Sequence, residues 1–404
     1  MIDEGGAPPA QGAPRPEPRH RPPSLMLERL SVRDLRNIER VDFEPAPRLN
    51  VIAGNNGQGK TSLLEAIYFA ATSRSFRTHR MGELVRHGAP VTSARGRFVE
   101  RRDDLPPLAR EQTAAIEGKR CAVLIDGNKP QSLASFATRS PVVAFHPEEL
   151  ALSTGPAGVR RTLLDRLALF MDPRSADHRA RYTLALKARQ ELLQRGAASP
   201  GEPSAELDAF EELCAVHGAA LTRARAAAAE ALAPELADAF ARIAAPDLQL
   251  EARFSPGGAA GVDEAREALR AHRRRDAHRS SAGFGPHRDD LDLWLAGHPA
   301  RVVASQGQHR ALTLSLKAAE SAAIAAARGV EPILLLDDVS SELDPDRTAA
   351  LLTFLGMSRG QVFLTTTRRD LIVTPGVAAS DRRDFLVEGG ALSEVGANAA
   401  PARG

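Results

Sequence analysis

The chain has 404 residues, 43% of them hydrophobic, enough for two or three domains with sizeable cores. A formal net charge of +2 decides nothing about a polyanionic partner, so any nucleic-acid surface has to be a local patch. Two cysteines, Cys121 and Cys214, exclude a disulfide framework, and no apolar run or N-terminal leader predicts a membrane span or secretion, which makes a reducing cytoplasm the expected compartment.

Residues 1–25 are predicted to be a disordered tail: the first 24 hold seven prolines and no aliphatic periodicity, too little to offset chain entropy. Met26 opens a clean alternating pattern and is an alternative translation start. Residues 26–150 read as an α/β lobe. Three short strands are predicted across 27–53, broken near Arg36-Asn37 and Pro45 to Pro47, and the third runs into a Gly/Asn turn. A helix follows and ends near Ser73. Further strands are predicted at 94–99, 114–117, 120–125 and 141–145, with Asp126 to Asn128 as a hairpin turn. Residues 151–275 form a predicted helical arm, because Leu and Ala recur at helical spacing from about 158 to 244 while "GAASPGEPS" (196–204) breaks them into a helical pair. Strands return at "LQLEARF" and "DLDLWLAG", and residues 276–392 complete the second α/β lobe; "PILLLDD" and "GQVFLTTT" are fully apolar runs of the kind found in buried parallel strands. Residues 393–404 are predicted to fray.

The stretch "VIAGNNGQGKTSLLEAI" matches G-x-x-x-x-G-K-T at 54–61, between a predicted strand and a predicted helix. Glycines let backbone N–H groups converge on phosphate oxygens, Lys60 reaches the β and γ phosphates, and Thr61 can bind magnesium. Such a site needs a second carboxylate from the end of a hydrophobic strand. In "ILLLDD", Asp337 would hold magnesium and Asp338 would polarise the attacking water. Ser305 precedes a long Ala/Leu helix and reads as its N-cap. It also precedes the acidic strand by about one helix, as does the signature motif of ATP-binding-cassette ATPases, whose helix N-terminus meets the γ-phosphate of the other subunit. "SSELD" (340–344) resembles their D-loop, and "LTTT" (364–367) ends a strand where they carry a switch residue, usually His.

The chain resembles the RecF family of bacterial recombination-repair ATPases from Met26 to about Gly390. The matching strings are "LRN", "GNNGQGKTSLLEAIY", "RSFR", "GVRRTLLD", "GFGPHRDDL", "SQGQHRALTLSLKAAE" and "PILLLDDVSSELD". The resemblance implies a head like that of SMC-type P-loop ATPases, with a mixed sheet and a short α-helical arm. It implies ATP-dependent homodimerisation on gapped duplex DNA without sequence preference, slow hydrolysis, and work with RecR and RecO in loading RecA at single-strand gaps. Carried over by residue, Gly54, Asn55, Asn56, Gly57, Gln58, Gly59, Lys60 and Thr61 would bind ATP and Mg2+. Ser305, Gly307 and Gln308 would engage it in trans, Asp337 would hold the metal, Asp338 would activate water and Asp344 would connect the subunits. Two departures from the wider cassette pattern, Asp338 in place of Glu and Thr365 to Thr367 in place of the switch His, imply weak catalysis. The nearest candidate for a lid residue is His146.

Arg74, Arg77 and the run Arg273, Arg274 and Arg275 are candidate contacts to DNA phosphates, with a solvated helix face as the other reading of the run. One Trp and two Tyr leave little for base stacking, so duplex backbone binding is expected. The interval from Lys60 to Asp337 lacks the sustained heptads of a long SMC coiled coil. A transporter nucleotide-binding subunit would keep the Glu and the His. A nucleotide-gated DNA clamp, with hydrolysis reserved for release, is the remaining alternative.

Overall fold

Alternation in the first strands builds an antiparallel sheet. In the computed structural model, which describes residues 24–102, 105–195, 205–243, 248–338, 360–369, 372, 374 and 376–395, β1 (Ser24–Leu35) and β2 (Ile38–Phe43) pair through a turn at Arg36-Asn37. Leu27, Leu30 and Val32 are fully buried, while Arg29 and Arg33 face out. β3 (Leu49–Ala53) leaves this sheet and leads into α1 (Lys60–Thr72). β4 (Val91–Arg102), β5 (Leu105–Glu117) and β6 (Arg120–Ile125) return to it, in the order β2-β1-β4-β5-β6.

The second sheet draws strands from both ends of the chain. After α2 (Leu133–Ala137) comes β7 (Val142–Phe145), and the six-stranded order uses β11 (Ile333–Leu336), β12 (Val362–Thr366), β13 (Arg382–Glu388) and β14 (Ala391–Val395): β14-β13-β3-β12-β11-β7. All its pairings are parallel except β13 with β14. Both faces are covered, which is why its strands read as continuous apolar runs. Ile52, Ile333 and Leu335 pack on one side with α1 and the antiparallel sheet; Val51, Leu334 and Leu336 pack on the other with helices. Sandwiched between two sheets, α1 is buried at every position except Thr61, so it is apolar nearly all round.

The helical side comprises α3 (Ala151–Thr154), α4 (Ala157–Met171), α5 (Ser175–Gln194), α6 (Ala205–Ile243) and α7 (Val262–Arg279), then α8 (Ala300–Val303) and α9 (Gln306–Arg328). A small sheet of β8 (Leu250–Ser255), β9 (Asp290–Leu295) and β10 (His298–Pro299) lies among them. The segment 151–275 contributes to two cores. Leu163, Leu167, Leu232 and Phe240 of α4 and late α6 join the head core, whereas Tyr182, Cys214, Leu221 and Leu269 form a separate core of α5, early α6 and α7. Inside that arm Arg189 is fully buried and paired to Glu211 at 3.1 Å and Asp276 at 2.7 Å, as a charge out of water requires.

Three expectations differ from the structure. Among the described residues the helical stretch contains three helices rather than a pair, because Asp172 accepts the Arg174 N–H at 3.0 Å and, with Pro173, separates α4 from α5. The β5–β6 hairpin turns at Gly118-Lys119, since Glu117 pairs with Arg120; Asp126 to Asn128 closes only a single bridge from Ile125. β1 includes Ser24, with Leu25 fully buried, so the first strand extends to the N-terminal side of the expected boundary at Met26. Residues 1–23, the break at 196–204 and the C-terminal segment 396–404 lie outside the described residues.

Candidate functional site

β3, paired on both sides, delivers the Gly/Asn turn to the C-terminal end of the parallel strands, and α1 begins at its end. Gly59 is the N-cap of α1 with φ 117°, a left-handed conformation that favours glycine, and a Cβ there would lie 2.9 Å from the Asn37 side chain. Asn37 donates to the Gln58 carbonyl at 3.1 Å, while Gly390 N–H donates to the same carbonyl and Gly389 N–H to the Gln58 side chain. The turn is therefore held from outside, leaving Asn55, Asn56 and Gly57 exposed. Gly54 starts it, packed against the Val387 carbonyl. Lys60 folds back within the turn, its Nζ donating to the carbonyls of Gly54 at 2.7 Å and Asn55 at 3.0 Å. Burial lowers its pKa from the ordinary lysine value, against the raising influence of Asp338 and Asp337.

β11 brings the acidic pair to the same place. Thr61 Oγ1 donates to the Asp337 carboxylate, 2.8 Å from Oδ2 and 3.0 Å from Oδ1, across 276 positions of sequence. Thr365 at the end of β12 donates to Asp337 Oδ1 at 2.7 Å and accepts the Asp338 N–H at 2.8 Å. Asp337 is buried, and desolvation pushes its pKa above the usual carboxylate range despite the hydroxyls of Thr365 and Thr61. Asp338 adopts φ 50° and lines a cleft of about 540 Å³ together with Lys60, Thr61, Asp337, Arg36 and Arg77.

Ser305 caps α9 through a reciprocal box: Gln308 N–H donates to Ser305 Oγ, and Ser305 N–H donates to the Gln308 side chain at 2.7 Å. Ser305 is exposed, and neither it nor Gly307 or Gln308 lines the cleft of its own chain. Asp344 lies outside the described residues. Thr365 is fully buried under the acidic pair, which excludes it from the free switch position that the sequence assigned to 365–367. His146 follows β7 and stacks on Phe76 with ring centroids 5.2 Å apart; burial, then Lys317, lowers its pKa to about 4.

The basic candidates separate. Arg274 and Arg275 are exposed on α7, but Arg273 is neutralised by Glu211 and Asp208 in the arm, because two carboxylates converge on its guanidinium. Arg273 is thus a structural cation rather than an open phosphate contact. Arg74 is exposed. Arg77 sits on the same cleft as Lys60 and Asp337, 3.6 Å from buried Glu65. Sequence reasoning passed over Arg36 and Asn37, taking them only as a strand break and part of a matching string; their roles depend on the approach of the β1–β2 turn to α1 and the Gly-rich turn, which no local pattern encodes.

The RecF/RecN/SMC N-terminal domain model matches residues 26–374. The chain is 41% identical over 379 residues to the DNA replication and repair protein RecF of Anaeromyxobacter sp. (strain Fw109-5), covering 91% of this chain and 99% of that protein. The chain belongs to the RecF family. The RecF of Myxococcus xanthus (strain DK1622) is 39% identical, covering 93% and 99%. Among solved structures, the recombination mediator protein RecF with ATP, in the RecFOR pathway, superposes with a TM-score of 0.81 at 26% identity over 94% of this chain and 100% of that one. An Smc head domain from Pyrococcus furiosus shares the fold, with a TM-score of 0.53 at 15% identity over 92% and 96%. The α/β head is therefore of the cassette and SMC ATPase type, in a family of DNA replication and repair proteins. No described helix is long and apolar enough to cross a membrane.

Proposed function

We propose that this protein is an ATP-gated DNA clamp: two copies close around ATP on gapped duplex, hydrolyse it slowly with stimulation by DNA, and with RecR and RecO promote RecA loading at single-strand gaps in the cytoplasm. The observation that carries the reading is the contact of Thr61 with Asp337 beside Lys60, three groups from two chain segments 276 positions apart gathered on one cleft. Solved relatives described as RecF of the RecFOR pathway support the partners.

ATP enters with its phosphates against the backbone N–H groups of 54–61 and the start of α1. Lys60 exchanges its carbonyl partners for phosphate oxygens. The Thr61 hydroxyl and Asp337 carboxylate are hard oxygen donors that fit magnesium, whose remaining ligands would be phosphate and water; among the described residues no group of three His, Cys, Asp or Glu forms a dedicated metal cage. When bound, magnesium neutralises phosphate charge. Asp338 accepts a proton from the water that attacks the γ-phosphorus as the bond to ADP breaks. Ser305, Gly307 and Gln308, exposed or half-exposed at the start of α9, reach the phosphate of the other copy. Hydrolysis then times release of the clamp.

Sedimentation with and without ATP, in the presence and absence of gapped duplex DNA, tests the reading. Dimers are expected only with ATP, and their binding to DNA in a salt-dependent way. Unchanged sedimentation in all four conditions would overturn it.

A further inference from the structure

Two of the matching strings, "GVRRTLLD" at 158–165 and "GFGPHRDDL" at 283–291, take no part in the chemistry described so far. The structure brings them together. Arg160 of α4 donates to the Asp290 carboxylate in two parallel bonds, Nε to Oδ1 at 2.7 Å and Nη2 to Oδ2 at 2.8 Å, across 130 positions of sequence. Beside them Arg161 donates to the Asp289 carbonyl at 2.8 Å, and Arg225 of α6 pairs with Asp165 at 2.7 Å and Asp289 at 3.1 Å. Arg160 has a second set of partners. Its Nη1 donates to the carbonyls of Gly155 at 2.9 Å and Leu152 at 3.3 Å, at the end of α3 where helical partners run out. One buried guanidinium therefore fastens α3 to the first residue of β9. Both fastened elements lead to the start of α9. Buried Ser153 of α3 has its Oγ 3.1 Å from Nδ1 of His309, one turn beyond Ser305. β9 runs through its hairpin with β10 into α8, which ends at Val303, just ahead of Ser305. The first turn of α9 is thus held at both approaches, while Ser305 itself stays exposed.

We propose that Arg160 is a positioning residue for the nucleotide held by the other copy: by clamping α3 to β9 it fixes the turn that carries Ser305, Gly307 and Gln308 in the orientation that meets that copy's γ-phosphate. This rests on the trans reading of Ser305 above. The chemistry suits a fixed part. A guanidinium satisfies a carboxylate and two carbonyls at once through its planar fork, which an ammonium of the same charge does not reproduce. A turn presented to a phosphate across an interface gains from being set in advance, because ordering it on contact would cost affinity. Arg160 does not line the cleft of Lys60, Thr61 and Asp337 in its own chain, so its effect on ATP runs through the turn it supports.

The test pairs full-length chains carrying different lesions and reads ATP hydrolysis per heterodimer, alongside the affinity of each variant alone for a fluorescent ATP analogue at concentrations where chains stay apart. Arg160→Gln should bind the analogue within about threefold of the parent yet lose at least about tenfold in ATP-driven dimerisation, since only the presented turn is misplaced. Arg160→Lys should recover part of that loss. Mixed with Lys60→Met, Arg160→Gln should regain up to about half the activity of a normal dimer per heterodimer, because both lesions fall on one site. Mixed with Ser305→Arg it should stay inactive, because each site then carries one lesion. The reverse pattern would place Arg160 at the nucleotide of its own chain and overturn the proposal, as would parental dimerisation of Arg160→Gln. Ser153→Ala strands no buried charge and should weaken dimerisation about threefold or more with the same pairing pattern. It decides the matter if Arg160→Gln does not fold, parental dimerisation then overturning the proposal. Failure of Lys60→Met and Ser305→Arg to complement each other would instead remove the trans reading itself.

Discussion

Replacing Thr365 by Val removes one hydroxyl and almost no volume, at a fully buried strand position where Val is a good residue. That hydroxyl holds both acidic residues: it donates to Asp337 Oδ1 at 2.7 Å and accepts from Asp338 N–H at 2.8 Å. A bond to a charged group contributes about 1.5 to 3 kcal/mol and a neutral one about 1 kcal/mol. Asp337 keeps Thr61 and the Asp338 backbone is only half-buried, so the loss should lie near the lower end, roughly 2 to 3 kcal/mol. Asp337 would also lose the first of the two hydroxyls that oppose its raised pKa. Chemical denaturation should report the lost stability as a lower midpoint. ATP binding should survive while steady-state turnover falls at least tenfold, since the acidic pair is no longer fixed relative to Thr61. Thr365→Ser should restore most of both. If the Val variant matches the parent in midpoint and turnover, the Thr365 clamp does not position the acidic pair.

Lys60→Met should fold but lose ATP-driven dimerisation and turnover; parental hydrolysis would refute the role of Lys60. Mixing Lys60→Met with Ser305→Arg chains should recover up to about half the activity of a normal dimer per heterodimer, because one site then carries both lesions and the other none. A dead mixture with demonstrated heterodimers and no nucleotide binding at the intact site would remove Ser305 from the trans site. Arg274→Gln and Arg275→Gln should each flatten the salt dependence of DNA binding by about one unit, whereas Arg273→Gln should leave it alone and cost roughly 1 to 2 kcal/mol of stability, between exposed and buried pair values, since Glu211 keeps Arg189. An unchanged slope in the first two variants would make the run a solvated face. His146, whose pKa is lowered from 6.5 to about 4, stays neutral in the fold while the unfolded chain takes up a proton. Its contribution is therefore complete above about pH 6.5 and is lost as pH falls toward 4, roughly 3 kcal/mol in all. His146→Phe should flatten stability across that window in denaturation at several pH values; an identical slope would refute the burial effect.

The sequence by itself determined the family, the fold class and the order of the parts. Gly54 to Thr61 between a strand and a helix, the apolar run ending in Asp337 and Asp338, and Ser305 ahead of a long Ala/Leu helix are local patterns, because phosphate binding, strand burial and helix capping each act through residues a few positions apart. Strand periodicity likewise gave β1 to β3 and β9, where one buried face imposes alternation. Only the tertiary structure decided which groups share an environment. Thr61 and Asp337 are separated by 276 positions of sequence, and Thr365 turned inward because β12 pairs beside β11 and sets its hydroxyl under the acidic pair. The same holds for charge. In sequence Arg273, Arg274 and Arg275 are equivalent, yet α6 packs two carboxylates against the first and leaves the other two exposed; Arg77 borders the cleft of Lys60 and Asp337, 3.6 Å from buried Glu65. Whether a cation is spent on a neighbour or left for a ligand depends on which distant segments fold against it, and that information is carried by packing rather than by local pattern.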